Sequence, residues 1–97
     1  MACFEIAEMD VTPGQERAFE QAVEMAVPLF RRAKGCTSFN LHRIVERPST
    51  YRLCVGWETV EDHTVHFRHS ASFQEWRRLA SPFFAAPPRV DHVEVVI

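Results

Sequence analysis

The sequence has no long apolar run, no excess of either charge, and only three cysteines and three glycines. A membrane-spanning helix needs about 20 consecutive apolar residues, so the sequence predicts a soluble protein with no membrane partner. Eleven basic and thirteen acidic residues give a net charge of -2, and such a balanced charge argues against binding to nucleic acid. With 97 residues, the chain has the size of one domain, and we expect residues 1–97 to form a single domain.

The cysteines Cys3, Cys36 and Cys54 are odd in number and widely separated. They form neither a C-x-x-C pair nor a Cys/His zinc spacing, which argues against a disulfide framework and against a structural metal. The first residues include two acids and no basic stretch, unlike a signal peptide. We therefore expect a cytoplasmic protein whose cysteines are small buried residues.

The first half of the sequence predicts a strand followed by a helix. Thr12-Pro13-Gly14-Gln15 is typical of a helix start, with Thr12 as the cap. Apolar residues then recur every three or four positions up to Gly35, and Pro28 is expected to kink the helix. The apolar positions are Ala18, Phe19, Ala22, Val23, Ala26, Leu29, Phe30 and Ala33.

The second half predicts two strands over 36–45 and 50–58, a helix from Thr59 to about Arg68, and a second helical segment capped at Ser72. Valines over 90–97 predict a last strand. The resulting β-α-β-β-α-β order, with a broken second helix, indicates an α+β ferredoxin-like fold. Its four-stranded, mostly antiparallel sheet would carry the helices on one face.

The open face of this sheet is expected to pack against a second copy of the chain. Phe4 and Ile6 lie on one side of the first strand, while Ala7 and Met9 lie on the other, so both faces are partly apolar. A two-fold homodimer with its sheets face to face would bury the open side.

Helix geometry suggests one candidate catalytic residue on the second helix. At 100° per residue, His63 and Phe67 fall on the inward side, whereas His66 and His69 rotate away from it. A neutral imidazole at the wall of an apolar pocket can accept a phenol proton. The alternative is a partly buried structural histidine. His66 and His69 provide too few ligands for a metal, so no metal is expected.

A second group of candidates depends on the hairpin. With a four-residue loop over 46–49, Val45 would pair with Thr50. Asn40, His42, Tyr51 and Trp57 would then share one face with Leu53 and Val55. A loop one residue longer or shorter would move His42 to the other face. Trp57 is open to a purely structural role, and His92 could face either the pocket or the dimer interface.

Several of these motifs resemble the antibiotic biosynthesis monooxygenase family. They include Trp57-Glu58-Thr59, Phe67-Arg68-His69-Ser70 and Phe73-Gln74-Glu75-Trp76, and the similarity covers nearly the whole chain. The resemblance implies a dimeric α+β barrel with an apolar pocket between sheet and helices. It also implies, for some members, oxygenation of phenolic or quinol substrates without metal or flavin, so no cofactor is expected.

One branch of the family degrades haem with an asparagine, a tryptophan and a histidine. Ala7, Phe67 and Arg77 occupy those places here, which disfavours haem degradation. Arg77, with Arg68 and Arg78, is expected to cover apolar surface with its stem and keep its charge in water.

The leading hypothesis is a cofactor-independent monooxygenase of a small phenolic aromatic, with His42 or His63 as the base. Asn40, Tyr51, Trp57 and Phe67 would bind the substrate. The alternatives are a non-catalytic ligand-binding or accessory dimer and a proton-transfer isomerase or cyclase.

Overall fold

The computed structural model describes residues 2–97, whose elements follow the predicted β-α-β-β-α-β order with a broken second helical segment. They are β1 (Cys3–Asp10), α1 (Glu16–Arg31), β2 (Cys36–Ile44), β3 (Arg47–Trp57), a π-helix (Asp62–Phe67), α2 (Ala71–Ala80), a 3-10 turn (Ser81–Phe83) and β4 (Arg89–Val93). The α+β ferredoxin-like class is therefore confirmed.

The four strands form one sheet in the order β2-β3-β1-β4, and each neighbouring pair is antiparallel. Burial alternates along β1, where Cys3, Glu5, Ala7 and Met9 are buried and the residues between them are half-buried. The buried side faces the helices and forms the core, because side chains on a strand alternate between the two faces. The largest fully buried side chains are Trp57, Tyr51, Phe19, Phe30, Met9 and Leu53.

The apolar stripe of α1 is confirmed, but the helix begins at Glu16 rather than at a Thr12 cap. Gly14 has a φ of 91°, which is incompatible with a helix. The Gln15 N–H donates to the Thr12 carbonyl at 3.0 Å and closes a turn before the helix. Pro28 lies within α1, which continues to Arg31.

The predicted hairpin connection is wrong. Ile44 pairs with Arg47, so the loop is the two-residue segment 45–46, and an irregularity separates this pair from the pair formed by Arg43 and Tyr51. Residues 48–50 of β3 have no partner on β2, and Pro48 has no N–H to give to a ladder. Beyond the irregularity His42 pairs with Arg52, so His42 faces the open side of the sheet.

Of three further element boundaries, one confirms the sequence prediction and two differ from it. Thr59 accepts a hydrogen bond from the Asp62 N–H at 3.0 Å, which confirms it as a cap. The cap of α2 is Ser70, which accepts from the Phe73 N–H at 3.2 Å, rather than Ser72. β4 ends at Val93 rather than at residue 97, because Val93 pairs with Phe4 and β1 begins only one residue earlier.

The three cysteines are free; Cys3 is buried, and Cys36 and Cys54 are half-buried. Within residues 2–97, no helix is long and apolar enough to span a membrane. The same residues contain no group of three or more histidine, cysteine or carboxylate side chains arranged to hold a metal ion.

Candidate functional site

A cavity of about 340 Å³ lies on the helix side of the sheet, against α2. Its size is within the range of small-molecule pockets. Most of its walls are apolar, and its polar groups come from Glu5, His63, Ser81 and two arginines. The lining residues are Glu5, Ala7, Met9, Leu53, His63, Arg68, Phe73, Trp76, Arg77, Ala80, Ser81, Phe84, Pro88 and Val90.

Glu5 is the acidic group of this cavity. It lies on β1 in the buried alternation and is only 6% exposed. Its Oε1 accepts a hydrogen bond from Trp57 Nε1–H at 3.1 Å and lies 3.3 Å from His63 Nε2. Both contacts use Oε1, so within residues 2–97 the second oxygen, Oε2, is the one left for a molecule in the cavity.

Burial raises the pKa of Glu5 to about 7 from its ordinary value of 4.5. A carboxylate loses hydration energy when it leaves water, so burial favours the protonated form. The hydrogen bond from Trp57 and the positive charge of Arg68 act in the opposite direction and are weaker. Glu5 therefore gains and loses its proton near neutral pH.

His63 is positioned by the π-helix. The Arg68 N–H donates to the His63 carbonyl at 3.0 Å, an i+5 hydrogen bond that defines this helix type. The imidazole lies nearly parallel to the Trp57 indole, with ring centroids 5.5 Å apart and planes 15° apart. His63 is 3% exposed, so the stacking and the contact with Glu5 fix its orientation inside the protein.

His92 completes a chain of polar groups. Its Nε2 lies 2.7 Å from His63 Nδ1. When Glu5 is ionised its oxygens can only accept, so His63 Nε2 carries the proton that points at Glu5. His63 Nδ1 then accepts from His92 Nε2–H. This assignment satisfies every contact in the chain Glu5, His63, His92.

Burial lowers the pKa of His63 to about 4, and the positive charges of Arg68 and His92 lower it further in the same direction. At neutral pH the imidazole is therefore uncharged. Of the two buried partners, Glu5 has the pKa that suits proton transfer at neutral pH, because an acid-base catalyst works best when its pKa is near the working pH.

The structure places the predicted site residues in three different environments. His63 lies on the cavity wall. His92 faces the helix side of the sheet and contacts His63. Trp57 and Phe67 are buried directly behind the wall and do not line it. Their rings pack together with centroids 5.5 Å apart, and Trp57 acts on the cavity through its hydrogen bond to Glu5.

Tyr51 lies away from the cavity. Its hydroxyl donates to Glu20 Oε2 at 2.5 Å, and Arg43 also binds that oxygen, in a separate small pocket of about 270 Å³. Asn40 and His42 are exposed on the open face of the sheet. The prediction that they share a face with Trp57 is wrong, because the irregularity between β2 and β3 leaves three residues of β3, 48–50, without a partner, and this odd number of extra residues moves His42 to the opposite face.

Sequence reasoning missed Glu5. The available signal was an acidic residue in the same strand alternation as Ala7 and Met9, since an ionisable side chain on a buried face needs a partner. The sequence analysis also expected Arg68 and Arg77 to lie on the protein surface with their charges in water, without a role in a pocket. Both are exposed, but both line the cavity.

The fold and the cavity together define an α+β protein with a largely apolar cavity between its sheet and its helices. Residues 3–79 match the model of the antibiotic biosynthesis monooxygenase family, so the chain belongs to that family.

Known proteins agree with this assignment. The chain is similar to a solved structure from Bordetella bronchiseptica whose name places it in the same family, with 51% identity, a TM-score of 0.97, and coverage of 99% of this chain and 98% of that one. It is 38% identical over 92 residues to YczJ, an uncharacterized protein of Bacillus subtilis (strain 168), covering 95% of this chain and 97% of YczJ. A structure from Nitrosomonas europaea shares the fold, with a TM-score of 0.85 and 20% identity over 98% of this chain and 90% of that one.

Proposed function

We propose that the protein is a cofactor-independent monooxygenase of a small phenolic or quinol-type aromatic. The observation that carries the proposal is the buried pair of Glu5 and His63 at the wall of an apolar cavity. Family membership supports a monooxygenase-like protein. Haem degradation is disfavoured, because Ala7, Phe67 and Arg77 occupy the positions that such enzymes fill with asparagine, tryptophan and histidine.

The protein's part in the reaction is to remove a proton and exclude water. Ionised Glu5 accepts the proton of the substrate at Oε2, while the Trp57 N–H donates to Oε1 and the His63 imidazole lies against the same oxygen, with Nε2 at 3.3 Å. The electron-rich anion then reduces O2. For a hydroxyanthrone the ring CH2 becomes a carbonyl, which gives up four electrons; one oxygen atom enters the product and the other leaves in water.

A second candidate is a proton-transfer isomerase. The observation that favours it is the pKa of Glu5, about 7, because such a carboxyl can take a proton from one carbon of a substrate and return it to another at neutral pH. This reaction needs no oxygen, and its product has the mass of the substrate.

The test uses 1,8-dihydroxyanthrone with the purified protein. The monooxygenase proposal expects oxygen consumption above the buffer rate and one atom of ¹⁸O from ¹⁸O2 in the anthraquinone product. Glu5→Gln should abolish most of the enzymatic rate, and Glu24→Gln on the exposed side of α1 should leave it unchanged. No consumption with any of a panel of hydroquinones and hydroxyanthrones contradicts the proposal; tight binding without turnover favours a non-catalytic protein.

The same proposal includes a homodimer formed through the open face of the sheet. Phe4 and Ile6 on β1 and Val93 on β4 lie on this face, and the register puts Phe4 beside Val93. These side chains are half-buried or exposed in the single chain, and Val93 is 46% exposed. Removing this apolar surface from water supports pairing with a second copy.

A further inference from the structure

Within residues 2–97, two arginines at the cavity have no carboxylate oxygen within 4.0 Å. Five of the ten arginines lie within 4.0 Å of a carboxylate: Arg43, Arg47, Arg52, Arg78 and Arg89. Among the other five, within the described residues, Arg68 and Arg77 line the cavity, whereas the remaining three are exposed along α1 or at its end. Arg68 and Arg77 therefore place two positive charges without a carboxylate neighbour beside the cavity.

The two side chains come from different elements and meet the same apolar walls. Arg68 directly follows the π-helix, and Arg77 lies on α2, where its guanidinium is 6.0 Å from the centre of the Phe73 ring. Trp76 and Phe84 provide further aromatic surface in the cavity. An aromatic ring can stack on these walls while a guanidinium binds a planar anion with two parallel hydrogen bonds.

We propose that the cavity takes an aromatic acid, whose anionic group is bound by Arg68 and Arg77 and whose ring lies against Phe73, Trp76 and Phe84. This inference rests on the proposed function for the role of Glu5, and it adds the substrate class. The acidic group and the reacting hydrogen would lie at different ends of the ligand, since Glu5 and the arginines line the same cavity without an ion pair between them.

Binding of an anion has a consequence for Glu5. The charge of Arg68 favours the ionised form of Glu5 and so weakens it as a base. An anion bound at Arg68 cancels part of that charge, which raises the pKa of Glu5 after the ligand enters. The same ligand group would thus provide affinity and strengthen the base.

The test compares three ligands by isothermal titration calorimetry at pH 8. They are 6-hydroxy-2-naphthoate, in which the acid and the hydroxyl lie at opposite ends of the ring system, its uncharged methyl ester, and 2-naphthol. We expect the acid to bind at least tenfold more tightly than the ester, a difference of about 1.4 kcal/mol. Naphthyl phosphate is the fourth ligand and reports whether the site prefers a phosphate to a carboxylate.

The variants are Arg68→Gln, Arg77→Gln and the double variant, and Arg78→Gln is the matched control. Arg78 neighbours Arg77 on α2 but pairs with Glu75 and does not line the cavity. The double variant should lose the preference for the acid and still bind the ester. Equal binding of acid and ester by the unaltered protein, or an equal loss in Arg78→Gln, overturns the inference.

The outcomes separate this inference from the proposed function. If the acid binds with dependence on Arg68 and Arg77 but no aromatic acid or hydroxyanthrone is turned over, the anion site stands and the monooxygenase proposal fails. If naphthol and the ester bind and the acid does not, the anion site fails while the oxygenase proposal is unaffected. Failure of all four ligands to bind at millimolar concentration contradicts both.

Discussion

At the scale of single residues, the site depends on a division of roles between Glu5 and His63. Both are buried, and burial moves their pKa values in opposite directions, upward for the acid and downward for the base. The result is a neutral imidazole beside a carboxylate that is more basic than an ordinary glutamate. Glu5 is therefore the proton acceptor, and His63 is the group that holds and orients it.

The first prediction is that Glu5→Gln lowers kcat/KM by about 10²- to 10⁴-fold, which is the usual contribution of a general base. Glutamine keeps the size of the side chain and an oxygen for the Trp57 N–H, but it cannot take a proton. In the unaltered protein kcat/KM should rise with pH through about 7, because Glu5 must be ionised. Initial rates with hydroxyanthrone from pH 5.5 to 8.5 provide the measurement.

His63→Gln and Glu24→Gln serve as comparisons. His63→Gln should lower the rate less than Glu5→Gln and should shift the apparent pKa of the profile, since it removes the imidazole that lies 3.3 Å from Glu5 Oε1. Glu24 is exposed on α1, so its variant should keep both rate and profile. A rate that is independent of pH between 5.5 and 8.5 contradicts Glu5 as the base.

The second prediction concerns stability and pH. Glu5 has a higher pKa in the folded protein than its ordinary 4.5, so its contribution to stability is present below pH 4.5 and is lost as the pH rises to about 7. His63 has a lower pKa, about 4 instead of 6.5, so its contribution is lost as the pH falls from 6.5 to 4. The two effects oppose each other over this interval.

Substituting one of the two residues should therefore reveal the pH dependence of stability that the other contributes. Relative to the unaltered protein, Glu5→Gln should gain stability as the pH rises from 4.5 to 7, and His63→Gln should lose stability as the pH rises from 4 to 6.5. Urea unfolding at half-unit pH steps measures both differences. Curves that stay parallel to that of the unaltered protein would show that neither group has the proposed pKa.

At the scale of elements, the sequence was most informative where one apolar pattern had one possible reading. The stripe of α1 predicted the helix and its buried side, whereas the apolar residues of β1 predicted a strand without deciding which side faces the helices. The face of His42 was wrong because side chains on a strand have a period of two, and the three unpaired residues 48–50 of β3 shift the register by an odd number. Pro48 looked like part of the loop, whereas it lies within β3.

The π-helix limited the prediction of the site in a different way. A rotation of 100° per residue placed His63 and Phe67 inward, and both are buried. The pattern did not indicate the i+5 hydrogen bond from the Arg68 N–H, which fixes the backbone beside His63. The partners of His63 come from β1 and β4, and pairing between distant strands is not encoded by any local pattern.

The third prediction concerns the connection between α1 and β2. Gly35 has a φ of 79°, and a Cβ there would collide with the buried Asp62 side chain at the start of the π-helix. Gly14 has a φ of 91° and open space around it. Gly35→Ala should lower the free energy of unfolding by about 3 kcal/mol, from backbone strain together with overpacking.

Gly14→Ala is the matched variant, since it carries the backbone strain alone and should cost about 1 kcal/mol. Urea denaturation monitored by tryptophan fluorescence measures both values. Equal losses in the two variants would mean that the contact with Asp62 does not constrain the π-helix.

At the scale of the whole molecule, the open face of the sheet has two different halves. One half carries a network in which Glu8 binds Arg52 and Arg89, and Asp10 binds Arg89 and Thr50. The other half contains the apolar residues Phe4, Ile6 and Val93, with Asp91 beside Ile6. Two-fold pairing of such a face would bury the apolar half, while the charges supply orientation rather than much affinity.

The fourth prediction is that Ile6→Lys prevents dimer formation, because a lysine at the centre of a sheet-to-sheet contact would lose its hydration, and an ion pair with the neighbouring Asp91 returns too little energy to compensate. Ile6 lies on the middle strand β1, and it pairs with Cys54 on the middle strand β3 and with Asp91 on the edge strand β4. Light scattering after gel filtration should give twice the 11.2 kDa of one chain for the unaltered protein and a mass near 11.2 kDa for the variant.

Met25→Lys, at a position 68% exposed on α1, adds the same charge away from the sheet and should remain dimeric. Circular dichroism should be alike for all three, since Ile6 contributes little to the core on the helix side. A single-chain mass for the unaltered protein at 100 μM, or a dimer that survives Ile6→Lys, would show that the open face is not the interface.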